Sequence, residues 1–203
     1  MGARLPPCVV RPNFLGESFS ARLLALAIET EAGFRPSRIV VGEGKKAIDP
    51  SFRMSQVQAE LGPLEHDVRD VLQAAAPELI ESLRVTPFDV AEIEIEMAAH
   101  GDGAFYKRHV DTFSRDTDVT SDRLVSGVYY FHRTPKQYSG GALRIYAFGP
   151  GSDRYLDVEP EHDTLIVFPS WAAHEVLPVF CPSGRFADSR FALNCWFLRA
   201  HVS

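Results

Sequence analysis

Gly101-Asp-Gly-Ala-Phe-Tyr-Lys-Arg-His-Val-Asp111 is the stretch on which the reading of this chain turns. Its glycines mark a turn, and residues 105–108 then read as a strand. Residues two apart on a strand point to the same side, so the His109 imidazole and the Asp111 carboxylate emerge together at one strand end. That pair is two-thirds of a metal site. A second histidine from elsewhere would make two His and one carboxylate, a set that leaves positions open for substrate and oxygen. A rival triplet, His100-Gly101-Asp102, lies just upstream among glycines, where a turn is the simpler reading.

Strand-like runs continue downstream at 124–131, 142–147, 155–158, 164–168, 175–180 and 190–198, with turn-rich breaks at 135–141, 148–153 and 182–188. Upstream, Ile93 and Ile95 alternate with Glu92, Glu94 and Glu96, as in a half-buried strand whose glutamates occupy an outer, solvated face. Before it, Gly62-Pro63 opens a helix with Leu64, Val68, Val71 and Leu72 on one side, running to about Leu83 with an interruption near Pro77. A first amphipathic helix spans 17–34, a short strand opens at Cys8-Val-Val-Arg, and the basic stretch 35–56 is a loop or an exposed hairpin. Many short strands behind two helices predict a mainly β (α+β) fold, a sandwich or barrel with helices packed on one side. Residues 1–203 form one domain, with helical support and an entrance loop in 1–87 and a barrel core in 88–199.

Composition narrows the function. With 45% hydrophobic and 24% charged residues the chain is an ordinary globular protein, and its net charge of −6 disfavours nucleic acid and anionic lipid. No membrane span or secretory signal is legible, which predicts a cytoplasmic protein. Three widely spaced cysteines, Cys8, Cys181 and Cys195, support neither a disulfide framework nor a zinc cluster and read as buried small residues.

Among the other histidines His174 is the best third ligand, because an apolar strand ends at Phe168, a turn follows, and His174 opens the next strand. His162 reads as an exposed turn residue. An open metal site also needs its co-substrate held, and a dicarboxylate calls for a fixed cation that can pair bidentately. Arg190, at the head of the last strand, is the favoured anchor and Arg185 its rival. Tyr130 can offer a hydroxyl to the same carboxylate, and alternation places Tyr129 on the opposite face.

Tyr106-x-x-His109-x-Asp111, Val128-Tyr-Tyr-Phe, Ser139-Gly-Gly-Ala-Leu-Arg-Ile, Val158-Glu-Pro-Glu-His-Asp, His174-Glu-Val-Leu-Pro-Val and Arg190-Phe-Ala-Leu-Asn-Cys-Trp-Phe together resemble the Fe(II)/2-oxoglutarate-dependent dioxygenases of the prolyl 4-hydroxylase superfamily. The likeness is closest to the branch of oxygen-sensing prolyl hydroxylases, and it covers about residues 88–198. The resemblance implies a double-stranded β-helix, a jelly-roll barrel with N-terminal supporting helices. It implies Fe(II) on His109, Asp111 and His174, and 2-oxoglutarate on Arg190 and Tyr130, with Tyr106, Leu143, Val176, Asn194 and Trp196 lining its pocket. O2 is the second co-substrate and ascorbate a candidate reductant. Decarboxylation of 2-oxoglutarate to succinate and CO2 would be coupled to hydroxylation of a prolyl or related residue in a peptide or protein. A free amino acid or small metabolite is the alternative substrate, and a non-catalytic jelly-roll binding module the alternative of another class. The chain departs from the family in a long insertion between His174 and Arg190, which keeps Arg185 open as the anchor, and in Asn194, where relatives often have a small hydroxyl residue. The stretches 35–56 and 112–123 are expected to frame the substrate entrance.

Overall fold

Alternation in the last strand, Arg190–Ala200, sorts its side chains onto two surfaces. Phe191, Leu193, Cys195 and Phe197 enter a core shared with the helices, Ala192 enters a second core, and Arg190, Asn194 and Trp196 line a cavity. The computed structural model describes residues 2–41, 45–112, 121–149 and 153–201.

The first elements are β1 (Val9–Pro12), α1 (Glu17–Glu29), β2 (Arg35–Pro36), β3 (Ile39–Val41), β4 (Lys45–Ala47), β5 (Arg53–Met54), β6 (Gln56–Gln58) and α2 (Glu65–Leu83). Then come β7 (Glu92–His100), β8 (Phe105–His109), β9 (Ser121–Phe131), β10 (Ser139–Gly140), β11 (Leu143–Tyr146) and β12 (Tyr155–Val158). The last are β13 (Thr164–Pro169), β14 (His174–Val176), β15 (Val179–Phe180) and β16 (Arg190–Ala200). The larger sheet has the order β1-β13-β9-β16-β7-β6-β2 and the smaller β12-β11-β14-β8-β5. All pairings are antiparallel, and the fold is a double-stranded β-helix, or jelly roll.

Helices α1 and α2 cover the outer face of the larger sheet. Leu23 and Ala27 of α1 and Val68, Leu72, Leu79 and Leu83 of α2 pack with Ile93, Met97, Tyr129, Leu165 and Phe197. Each large apolar side chain removed from water there contributes about 1.5–3 kcal/mol before entropy is counted. The opposite face carries a smaller core of Val128, Tyr130, Leu143, Ile145, Ile166 and Phe168. Tyr129 and Tyr130 do fall on opposite faces, and Tyr129 donates a 2.8 Å hydrogen bond to buried Asp163.

Several expectations change. The β7 glutamates share one face, but it is the barrel's inner face, because the isoleucines that alternate with them are taken by the helical core. Glu94 and Glu96 there pair with Arg123 and Arg53. Helix α2 continues through Pro77 without interruption, with Leu79, Ile80 and Leu83 buried beyond it, and ends at Arg84 in the left-handed conformation (φ 53°). Helix α1 stops at Glu29, and a short 3-10 turn, Glu31–Gly33, takes the chain on to β2. Within 35–56 the hairpin alternative holds, since β3 pairs with β4 while β5 joins β8 as an edge strand. His162 is half-buried, and its Nε2 lies 3.1 Å from the Ser20 hydroxyl. Most of 112–123 lies outside the described residues.

Candidate active site

Strands β8 and β14 are neighbours, and their register sets His109 opposite His174. The chain leaves β8 at His109, and the Asp111 N–H donates to the Ser170 carbonyl at 2.9 Å, which turns the carboxylate toward both imidazoles. The ligand atoms of His109, Asp111 and His174 lie within 4.8 Å of one another. His109 Nε2 is 3.6 Å from one Asp111 oxygen, and His174 Nε2 is 3.6 Å from the other.

The ring hydrogens are fixed by backbone carbonyls. His109 Nδ1–H donates to Lys107 O at 2.8 Å and His174 Nδ1–H to Ala172 O at 2.9 Å, leaving both Nε2 lone pairs aimed inward. Burial pushes His174 down to about 4, with His109 adding to the effect and Asp111 opposing it. Burial also works to raise the Asp111 carboxyl. His174, His109 and a 2.7 Å hydrogen bond from the Ser126 hydroxyl outweigh it and hold the group far below the usual carboxylate range. The site therefore offers two imidazole Nε2 atoms and one carboxylate, a donor set that fits a divalent transition metal. Tyr106 stacks on His109 with ring centroids 3.5 Å apart, and the Arg53 guanidinium lies 4.7 Å over the Tyr106 ring.

His109, Asp111, His174, Tyr106 and Arg53 line a cavity of about 760 Å3 that Arg190 lines as well. Arg190 is only 1% exposed, its Nε donates to Gly141 O at 2.8 Å, and its guanidinium lies 4.7 Å over the Tyr130 ring. Gly141 has φ 71°, and a Cβ there would stand 2.7 Å from the Arg190 Cδ, so the Ser139-Gly-Gly motif clears space for the guanidinium. Arg190 Nη2 and the Tyr130 hydroxyl, both buried, have no well-formed hydrogen bond among the described residues. Two adjacent buried polar groups left short of hydrogen bonds among the described residues are costly unless a ligand carboxylate completes them.

Leu143, Val176, Asn194, Trp196 and Tyr106 all line the same cavity, whereas Tyr130 lies beneath Arg190 rather than on the wall. Arg185, the rival anchor, lies away from this cavity. It is largely exposed, ion-pairs with Asp188 at 2.7 Å, and lines a separate, smaller cavity.

Sequence reasoning missed His100. It sits opposite Arg190 in the β7–β16 register, fully buried, with Arg190 Nη1 3.4 Å from its Nδ1. Burial, then the charges of Arg190 and Arg53, keep the ring neutral, with its hydrogen on Nε2 because an arginine can only donate. Ser126 was missed as well, and its hydroxyl links Asp111 to Ser170.

The 2OG-Fe(II) oxygenase superfamily model matches residues 95–198, which hold every one of these groups except Arg53. The chain belongs to the 2OG-Fe(II) oxygenase superfamily. Members of this superfamily use Fe(II), 2-oxoglutarate and O2. An uncharacterized PKHD-type hydroxylase of Synechocystis is 32% identical in an alignment 192 residues long that covers 91% of this chain and 60% of that protein. The chain thus spans less than two-thirds of that relative's length. Among solved structures, a prolyl-4-hydroxylase of Pseudomonas putida superposes with a TM-score of 0.70 at 27% identity, over 96% of this chain and 94% of the other. A Trichoplax adhaerens prolyl hydroxylase, solved with a hypoxia inducible factor peptide fragment, gives 0.67 at 22% identity, over 95% and 83%, and supports the fold.

Proposed function

We propose that this chain is an Fe(II)- and 2-oxoglutarate-dependent hydroxylase acting on a prolyl or related residue of a peptide or protein. The observation that carries the reading is the coincidence, in one cavity, of the His109, Asp111 and His174 set with buried Arg190, whose Nη2 lacks a well-formed hydrogen bond among the described residues. When bound, iron and 2-oxoglutarate supply the oxidative chemistry, coupled to formation of succinate and CO2.

The chain's own residues do the positioning. His109, Asp111 and His174 hold the metal, Ser126 fixes the carboxylate that serves it, and Arg190 with Tyr130 takes the distal carboxylate of 2-oxoglutarate. Leu143, Val176 and Trp196 exclude water along the cavity wall, and Asn194, 3.4 Å from Glu96, adds a polar edge. The name and close superposition of the Pseudomonas putida enzyme support prolyl chemistry. Strands from the first 87 residues that complete both sheets support one domain over 1–203. Three free thiols support a cytoplasmic setting.

Purified protein with Fe(II), 2-oxoglutarate and O2 should form succinate and place a +16 Da shift on prolyl residues of peptides digested from cell extract. His174→Ala should do neither. Shifts confined to free amino acids, or none together with no succinate, would refute the reading.

A further inference from the structure

Arg53 reaches the metal-ligand set from outside the stretch that the family model matches, residues 95–198. It lies on β5, whose register sets it opposite Tyr106 of β8. Alternation alone would turn Tyr106 and His109, three residues apart, to opposite faces of β8. On β14, however, Val176 stands opposite Tyr106 and His174 opposite His109, so two steps on β14 answer three on β8. The extra residue is a bulge. It brings phenol and imidazole onto one face, stacked with ring centroids 3.5 Å apart and planes 17° apart.

His109 is the last residue of β8, and beyond its Nδ1 hydrogen bond its ring is placed by what packs on it. The His174 ring is tilted, 4.2 Å away, whereas Tyr106 covers the imidazole face to face. Tyr106 is held in turn by the Arg53 guanidinium, 4.7 Å over its ring, and by the edge of Phe52. Arg53 is itself pinned, since its Nη2 donates to Glu96 Oε1 at 3.0 Å and its Nε to the Ser55 hydroxyl at 3.1 Å. Glu96 offsets the charge of Arg53, so Tyr106 meets a fixed plane rather than a free positive field. The same strand steadies the acceptor of His109, because Lys107 N–H donates to Phe52 O at 2.9 Å while Lys107 O takes the His109 Nδ1–H.

We propose that Arg53 is a positioning residue of the metal centre, which holds the His109 imidazole in its ligating orientation through the Tyr106 ring. This rests on the reading of His109, Asp111 and His174 as metal ligands. The rival account is a purely structural Arg53–Glu96 tie between the two sheets, since β5 belongs to the smaller and β7 to the larger. Such a tie would support the fold as a whole and would have no selective effect on His109.

The test titrates Co(II) alone, followed by its visible absorption, into the metal-free full chain. Arg53→Met keeps the apolar stem but loses the planar cation. It should bind Co(II) about tenfold more weakly, at the lower end of the roughly 10- to 100-fold range for groups that orient a metal ligand. Arg53→Lys, which returns a cation to the ring face, should recover part of the loss. Adding Arg53→Met to Tyr106→Ala should cost no more than Tyr106→Ala alone, because the arginine acts through that ring. In the metal-free protein, proton–nitrogen correlation spectra of the histidine rings in mildly alkaline buffer should show His109 leaving the Nδ1–H tautomer in Arg53→Met while His174 keeps it. General loosening of the fold would disturb both rings. Equal Co(II) affinity in Arg53→Met, additive losses in the double variant, or both histidines changing tautomer together would overturn the proposal. Absence of Co(II) uptake by the parent protein would instead remove the metal-site reading beneath it, a result distinct from parent and variant binding alike.

Discussion

Arg190 and His100 face one another across paired strands at the closed end of the barrel, with the guanidinium 3.4 Å from the imidazole. A neutral histidine there lets a buried cation keep its charge for a ligand instead of spending it on a protein carboxylate. That is why Arg190 is fully buried and still has a nitrogen to offer.

Arg190→Ala should raise the 2-oxoglutarate concentration needed for half-maximal succinate formation. Loss of one partner of a buried charge pair costs about 2–5 kcal/mol, so the shift should be roughly 30-fold or more. Arg190→Lys, which keeps the charge but loses the planar fork, should fall between the two. Arg185→Ala should leave the requirement unchanged, since that side chain is turned to Asp188 and solvent. Steady-state kinetics with varied 2-oxoglutarate decides this.

Ser126→Ala should weaken metal binding by roughly 10- to 100-fold, the range for loss of a group that orients a metal ligand. The Ser126 hydroxyl is the side-chain donor to Asp111 Oδ2, and without it the carboxylate is freer to rotate away from the two histidines. Fe(II) titration of the apoprotein measures the loss directly. The 2-oxoglutarate requirement at saturating iron should stay near that of the parent protein.

Acid should destabilise the metal-free chain in a defined window. His174 is neutral in the fold down to about 4, but takes up a proton near 6.5 once unfolded. Between those values the unfolded state binds the extra proton, so stability present above 6.5 is lost as the pH falls toward 4. His100, also depressed by burial, acts in the same direction. Thermal unfolding of the apoprotein across this range should show a falling midpoint, and His174→Asn should flatten the curve. An equal slope in the variant would show that the histidine is not the cause.

The clustering of His109, Asp111 and His174 was legible because alternation alone places His109 and Asp111 on one side of a strand end, and because His174 opens a strand after a turn. Arg190 was legible as a charge at the head of an otherwise apolar strand. What a single strand cannot reveal is which of its faces the rest of the molecule covers. The β7 pattern fixes that Glu92, Glu94 and Glu96 share a face, but only the packing of α1 and α2 against Ile93 and Met97 decides that the glutamates line the barrel. His100 was hidden for a related reason. Its role depends on the β7–β16 register, a nonlocal pairing that no local spacing encodes. Pro77 misled because a proline lowers helix propensity, whereas burial of Leu79, Ile80 and Leu83 carries α2 past it.

The central claim is that one cavity holds Fe(II) on His109, Asp111 and His174 and 2-oxoglutarate against Arg190. The most direct measurement is an anaerobic titration of 2-oxoglutarate into the Fe(II)-loaded chain, followed by the visible charge-transfer absorption a 2-oxo acid acquires on chelating ferrous iron. The band should rise and saturate in the parent protein, be absent in His174→Ala, and need far more 2-oxoglutarate in Arg190→Ala. No band in the parent protein, or the same saturation curve in all three, would contradict the account.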